Sequence, residues 1–315
     1  MQPDHQHQDE NHPAPDHPLA PGLYLVATPI GNLEDITLRA LRVLRCADRV
    51  ACEDTRQTQK LLNHFAIRTP TVSYHRHNEA GRAAELAQEL KAGARIAVVS
   101  DAGTPGIADP GGQIAAAAIA AGVPVFPIPG ANAAISALIA SGLLGASHDA
   151  ATVASPSDNP ERFTFNGFLP AKEGQRRTAL EALRNRAEST GPQIFYEAPH
   201  RIVATLADIE AIFGPAQHIV VARELTKLHE EFLRGAVSEV HQTLTKRPTV
   251  RGEIVLLFTP TPAATSAESP TTIAAEVRTL TQQGFSEKDA LKQIARTRNL
   301  SKSEAYRELQ RERSK

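Results

Sequence analysis

A chain of 315 residues, 41% hydrophobic and 22% charged, holds enough apolar material for about two domains and too much for disorder throughout. No apolar run approaches the roughly 18 residues that a spanning helix needs, so a soluble globular protein without membrane partners is expected. The formal net charge of -1 hides an uneven layout: residues 1–21 carry Asp4, Asp9, Glu10 and Asp16 with no Lys or Arg, whereas residues 271–315 hold ten Lys/Arg against six Asp/Glu.

Residues 1–21 lack the cationic start and apolar core of a secretory signal and the arginines of a transit peptide, which makes the cytoplasm the expected compartment. His5, His7, His12 and His17, interleaved with Pro and Asp, read as a disordered leader, with adventitious metal binding as the alternative. Cys46 and Cys52 form neither a CxxC nor a zinc spacing and read as small buried thiols; no metal site is expected.

From Leu23 the chain alternates. Leu23–Ala27 reads as a strand, Thr37 caps a helix through Ala47, and Arg49–Cys52 is a second strand. A helix to Phe65, a strand at Thr71–Tyr74, a helix over Gly81–Lys91 and a strand at Arg95–Val99 follow. Beyond it come a small-residue helix at Gln113–Ala120, the strand Pro124–Ile128 and the helix Ala133–Ser141. This order predicts a parallel sheet covered on both faces, in a first α/β domain spanning residues 22–145.

Residues 146–161 break the pattern and read as a linker. A second, smaller, mixed α/β domain over residues 162–258 is expected. Its strands are Arg162–Phe168, Gln193–Glu197, His218–Arg223, an antiparallel Glu230–Arg234 and Glu253–Phe258, with helices at Glu173–Ala187, Pro199–Phe213 and Val237–Leu244. Residues 259–272 are a second linker. Ile273–Gln282, Glu287–Arg296 and Lys302–Arg311 then read as three short basic helices, resembling a helix-turn-helix or forming a solvated helical hairpin. Ser286 with Asp289 and Ser301 with Glu304 have the spacing of capping boxes.

The stretch Ser100–Gly112, SDAGTPGIADPGG, joins a strand to a helix where an open α/β sheet binds ligands. Four glycines, two prolines and two aspartates let its backbone approach a ligand closely, although a plain Gly/Pro turn explains the same residues. Asn132, after Pro129-Gly130-Ala131, sits where it caps a helix, with or without a ligand at the free N–H groups.

Seven blocks stand in one order: Leu25–Leu33, Glu53–Arg56, the Ser100 loop, Ile128–Asn132, Tyr196–Arg201, Ala222–Lys227 and Gly252–Val255. Together they resemble the bacterial 16S ribosomal RNA cytidine 2′-O-methyltransferases, members of the tetrapyrrole-methylase-like class. The resemblance runs from about Gly22 to Phe258, and residues 146–161 are longer than the family's usual connection. It implies two α/β domains with a cleft between them, S-adenosyl-L-methionine in that cleft, a homodimer, and 16S rRNA in the small ribosomal subunit as substrate. It places Ile30, Ser100, Asp101, Thr104, Asn132, Ala133, Tyr196 and Leu225 against the cofactor.

Methyl transfer to a ribose hydroxyl is an in-line displacement that needs alignment and a group to take the hydroxyl proton. Glu53, Asp54, Glu197, Glu224 and Lys227 are candidates, Glu197 and Lys227 being preferred, with ion pairing to Arg201 or Arg223 as the other reading. Arg56, His200, Arg201 and Arg223, with Lys227, are candidate phosphate contacts, and Arg176 and Arg177 either extend that track or belong to an ordinary exposed helix face. A small-tetrapyrrole methyltransferase shares the cofactor loops and is the first rival. A ligand-sensing nucleic-acid-binding regulator using residues 271–315 is the second.

Overall fold

The computed structural model describes residues 19–75, 79–144, 162–186, 191–261, 273–282, 285–297 and 300–313. The expected leader as far as residue 18, the linker at 146–161 and residues 262–272 of the second linker lie outside the described residues. The chain forms two compact units, Met1–Thr261 and Pro262–Lys315.

The first unit contains two five-stranded sheets. One is wholly parallel: β1 (Gly22–Val26), β2 (Arg49–Cys52), β3 (Thr71–Ser73), β4 (Arg95–Val99) and β5 (Val125–Ile128), in the order β3-β2-β4-β1-β5. Helices α1 (Leu38–Cys46), α2 (Thr55–His64), α3 (Glu79–Lys91), α4 (Gly112–Ala120) and α5 (Ala133–Ser141) follow the strands. Strand alternation divides the side chains between two cores. Tyr24, Val26, Val50 and Cys52 pack with Val43 and Leu44 of α1 and Leu62 of α2, while Leu23, Ala51, Ile96 and Val98 pack with Leu86 of α3 and Ile114 of α4. Cys52 is buried and Cys46 is half-buried, both as free thiols. The helix starts are local: Ala40 N–H donates to Thr37 Oγ1 (3.1 Å) and Ile135 N–H to Asn132 Oδ1 (3.1 Å), caps worth about 1 kcal/mol each.

The second sheet is mixed: β6 (Thr164–Phe168), β7 (Gln193–Glu197), β8 (His218–Arg223), β9 (Glu231–Ala236) and β10 (Ile254–Phe258), in the order β6-β7-β10-β8-β9. Only β6 and β7 run parallel. The last strand in sequence is central, and all five of its residues are buried. Helices α6 (Glu173–Arg184), α7 (Ile202–Phe213) and α8 (Val237–Thr245) cover one face, around Leu180, Leu206, Ile209, Val237 and Phe258. The other face receives α5, whose Ala134, Ala137 and Leu138 meet Ile194, Val220, Val255 and Leu257. Thus α5 follows the first sheet in sequence and packs on the second.

Arg176 corrects the expectation of an exposed or RNA-facing α6. It is only 5% exposed, with its Nε 2.7 Å from Asp208 Oδ2. Arg176 lies four residues before the fully buried Leu180, so it shares the helix face that packs on α7. Arg177 is partly exposed and reaches the other Asp208 oxygen at 3.2 Å.

The unit Pro262–Lys315 contains α9 (Ile273–Gln282), α10 (Glu287–Thr297) and α11 (Lys302–Arg313) around Ile273, Val277, Ile294, Ala305 and Leu309. Both capping pairs form. Asp289 N–H donates to Ser286 Oγ at 3.2 Å, and Ser301 N–H donates to Glu304 Oε2 while Glu304 N–H returns to Ser301 Oγ.

Asp208→Ala is expected to destabilise the protein by about 3–5 kcal/mol in chemical denaturation, because it strands a buried guanidinium. The joint replacement Arg176→Met with Asp208→Leu is expected to recover most of that loss.

Candidate active site

The loops after β1, β4 and β5 leave the carboxyl ends of adjacent parallel strands and are tied to one another. Thr28 and Gly103 exchange both backbone hydrogen bonds, at 2.9 and 3.0 Å, as an isolated antiparallel bridge. Ser100 Oγ donates to Gly103 O at 3.1 Å. Gly103 has φ +84°, which favours glycine, and a Cβ there would crowd Ile30 Cγ2 at 3.3 Å. Thr104 Oγ1 donates to Ala131 O (3.1 Å) and accepts from Asn132 Nδ2 (3.3 Å), which joins the third loop. Asp54 N–H donates to Asp101 Oδ1 at 3.1 Å, bringing in the loop after β2.

A cavity of about 410 Å³ opens beside these loops. Ile30, Asp101, Thr104 and Ala133 line one side, and Tyr196 and Leu225 line the other. Ser100 and Asn132 stand behind the wall: Ser100 is buried and braces the loop, and Asn132 caps α5 and holds Thr104. Burial pushes the Tyr196 phenol up, opposed by the Ala134 backbone N–H. Its ring lies edge-on to Phe165 and Phe168, with centroids 5.0 and 5.6 Å away.

Glu197 lines the cavity, yet its side chain is 0% exposed and both oxygens are engaged. Oε1 accepts from Arg201 and from the Ala198 N–H, and Oε2 accepts from Thr205. That geometry suits an internal brace for Arg201, whose guanidinium also donates to Leu169 O. Lys227 Nζ lies 2.9 Å from both Glu224 Oε1 and Glu253 Oε2. The Lys227 hydrogen bond holds the Glu224 carboxyl below its usual range. Glu224 and Thr226 have φ +54° and +65°, left-handed values uncommon outside glycine and a mark of a locally strained loop.

The candidate phosphate contacts do not converge. Arg56 is exposed at the start of α2 and pairs with Asp54, and His200 is exposed after β7. Arg223 is engaged with Glu231 at 2.9 Å and with Arg251 O. Sequence reasoning did not name Glu253 or Phe168 as site residues, and took Asp109 only as part of the Ser100 loop; all three line the cavity. Glu253 carried a signal, since it opens the block Gly252–Val255, but only the pairing of β10 between β7 and β8 brings it to the cleft.

With this geometry in place, the kinship is plain. The family model of the tetrapyrrole (corrin/porphyrin) methylases matches residues 22–241, and the chain belongs to that family. Within it, the chain is similar to ribosomal RNA small subunit methyltransferase I of Halalkalibacterium halodurans, at 46% identity over 290 residues, covering 90% of this chain and 93% of the relative. The proteins of that name from Synechocystis sp. and Bacillus subtilis are 45% and 42% identical, each over 90% of this chain and 95% and 92% of the relative. Among solved structures, diphthine synthase gives a TM-score of 0.56 at 15% identity over 76% of this chain and 91% of that one. The methyltransferase CobJ gives 0.52 at 18% over 76% and 94%. These two likenesses establish the shared fold.

Hydrogen bonds from Arg247 and Arg223 hold the Glu231 carboxyl far down, from an ordinary 4.5 to about 2. A lowered carboxyl stabilises the fold above its ordinary value, and that contribution is lost as pH falls through the folded one. Glu231→Gln is therefore expected to flatten the pH dependence of the unfolding temperature between about 4.5 and 2.

Proposed function

We propose that this chain methylates the ribose 2′-hydroxyl of a cytidine in 16S rRNA within the small ribosomal subunit, using S-adenosyl-L-methionine. The observation that carries the reading is that blocks of the family resemblance, far apart in sequence, meet at one cavity of about 410 Å³. Near-full-length similarity to proteins named for ribosomal RNA methylation supports the substrate class. The cytoplasm and a homodimer belong to the same proposal. Exposed Ile135 and Ile139, one turn apart on α5, are consistent with a partner surface.

The cavity fits the cofactor. Its volume is in the range of small-molecule sites. Apolar Ile30, Ala133 and Leu225 with the Tyr196 ring suit an adenosine, and the carboxylates of Glu53, Asp101 and Asp109 favour a cationic ligand. Bound there, S-adenosyl-L-methionine supplies an electrophilic methyl on a positive sulfur. Transfer of that methyl to a ribose oxygen would leave the hydroxyl proton for a side chain of the cavity to take.

We assign that proton to Glu253. Its side chain is 72% exposed, it lines the cavity, and one oxygen is held by Lys227. Lys227 acts as a positioning residue, anchored in turn by Glu224. Glu197 keeps Arg201 and the wall beneath Tyr196 in place.

Labelled methyl transfer to purified small subunits lacking the modification, followed by digestion to nucleosides, tests the reading. Label is expected on a cytidine ribose. Glu253→Gln is expected to keep cofactor affinity while lowering kcat by about 10²–10⁴-fold. Cofactor binding with no label on RNA contradicts the function, and a Glu253→Gln enzyme with undiminished kcat contradicts the assignment of the base.

A further inference from the structure

Beside the donor cavity lies a second one of about 530 Å³. Ile30, Asp101, Ala102 and Glu253 line both, so a group seated in the second cavity meets the first across a shared wall. The outer side of the second cavity is α2, through Gln57, Lys60, Leu61 and His64. The turn after β1 closes it against the other lobe. A Cβ on Gly31 would strike Lys227 Cγ, so this turn passes directly under the Lys227 side chain, which only glycine permits.

The polar side chains on α2 are ordered. Arg56, Lys60 and His64 recur every fourth residue, which sets them on one face about 6 Å apart along the axis. All three are exposed, because Thr58 and Leu62 take the buried face. Lys60 and His64 line the second cavity, and Arg56 continues the line beyond it, 87% exposed, with its guanidinium on both oxygens of Asp54 at 3.3 and 3.2 Å. The pair is open to solvent, where a phosphate can take the place of the carboxylate. The carboxylates Asp101 and Glu253 stand on the inner wall. A ligand with anionic groups outside and a neutral hydroxyl inside matches both signs.

We propose that this second cavity receives the acceptor nucleotide of a single-stranded RNA segment, its ribose against Glu253 and its neighbouring phosphates along Arg56 and Lys60. The inference rests on the methyltransferase reading. A volume of about 530 Å³ has room for one nucleotide, and an unpaired, splayed strand presents its ribose and base edge to such a site. His64 offers its ring for stacking and Gln57 an amide for a base edge.

The test compares wild type with Arg56→Gln/Lys60→Gln on unmodified small subunits at several salt concentrations, with cofactor affinity measured by calorimetry. Lys91→Gln, at the end of α3 on the opposite face of the first sheet, is the control. The double variant is expected to raise KM for subunits at least tenfold, to leave kcat and cofactor affinity unchanged, and to lessen the salt slope by about 0.7 per lost phosphate contact. The control is expected to match wild type. Unchanged KM and salt slope in the double variant overturn the proposal, and so does a loss of cofactor affinity, which would assign α2 to the donor site. A wild type that labels no RNA removes the underlying methyltransferase reading itself.

Discussion

Two backbone hydrogen bonds between Thr28 and Gly103 join the loop after β1 to the loop after β4. Those strands are neighbours in the parallel sheet, but sheet pairing alone leaves their outgoing loops free to diverge. The bridge removes that freedom. Ile30 and Asp101 then face the same space, and Thr104 is brought to Ala131 and Asn132, so the third loop is fixed as well. Each such bond contributes only about 1 kcal/mol net. Its effect is positional, holding ligand-facing groups to within a fraction of an ångström, which a reacting centre requires.

The opposite wall is fixed by burial. Helix α5, AAISALIAS, has small residues at Ala134 and Ala137 that let it lie close on the second sheet, and Leu138 fills the remaining space against a dry apolar face. Burying a Leu, Val or Ile side chain there contributes roughly 1.5–3 kcal/mol. The helix that begins at the third loop of one sheet is thereby anchored on the other. Ala133 at its start faces Tyr196 and Leu225 across the cavity for that reason.

Much of this was legible in the sequence, because the first sheet is built from local units. Each strand, loop and helix follows the last within a few residues, and side chains such as Thr37 and Asn132 mark helix starts by chemistry that acts over three residues. The strands of the second sheet were equally legible, but not their order. The central position of β10 depends on pairing with β7 and β8, far off in sequence, and a run such as IVLLF carries no record of its partners. Glu253 escaped notice for that reason. Arg176 misled for another: a basic residue on an amphipathic helix reads as solvated unless its partner is known, and Asp208 is on the next helix. The Glu197–Arg201 pair stood only as the alternative to a catalytic Glu197, because a strand end and the turn after it carry no helical spacing to announce the contact.

The Thr28–Gly103 bridge sets the wall of the 410 Å³ cavity on the side of the first sheet. The most direct test is calorimetric titration of S-adenosylhomocysteine into wild type and Gly103→Val, with circular dichroism and thermal unfolding to verify that both are folded. A β-branched side chain cannot hold φ +84° without strain and would press on Ile30. Saturable binding to wild type and at least a hundredfold loss of affinity in a folded variant are expected. Equal affinity in the two proteins would show that the bridge does not set the cofactor site.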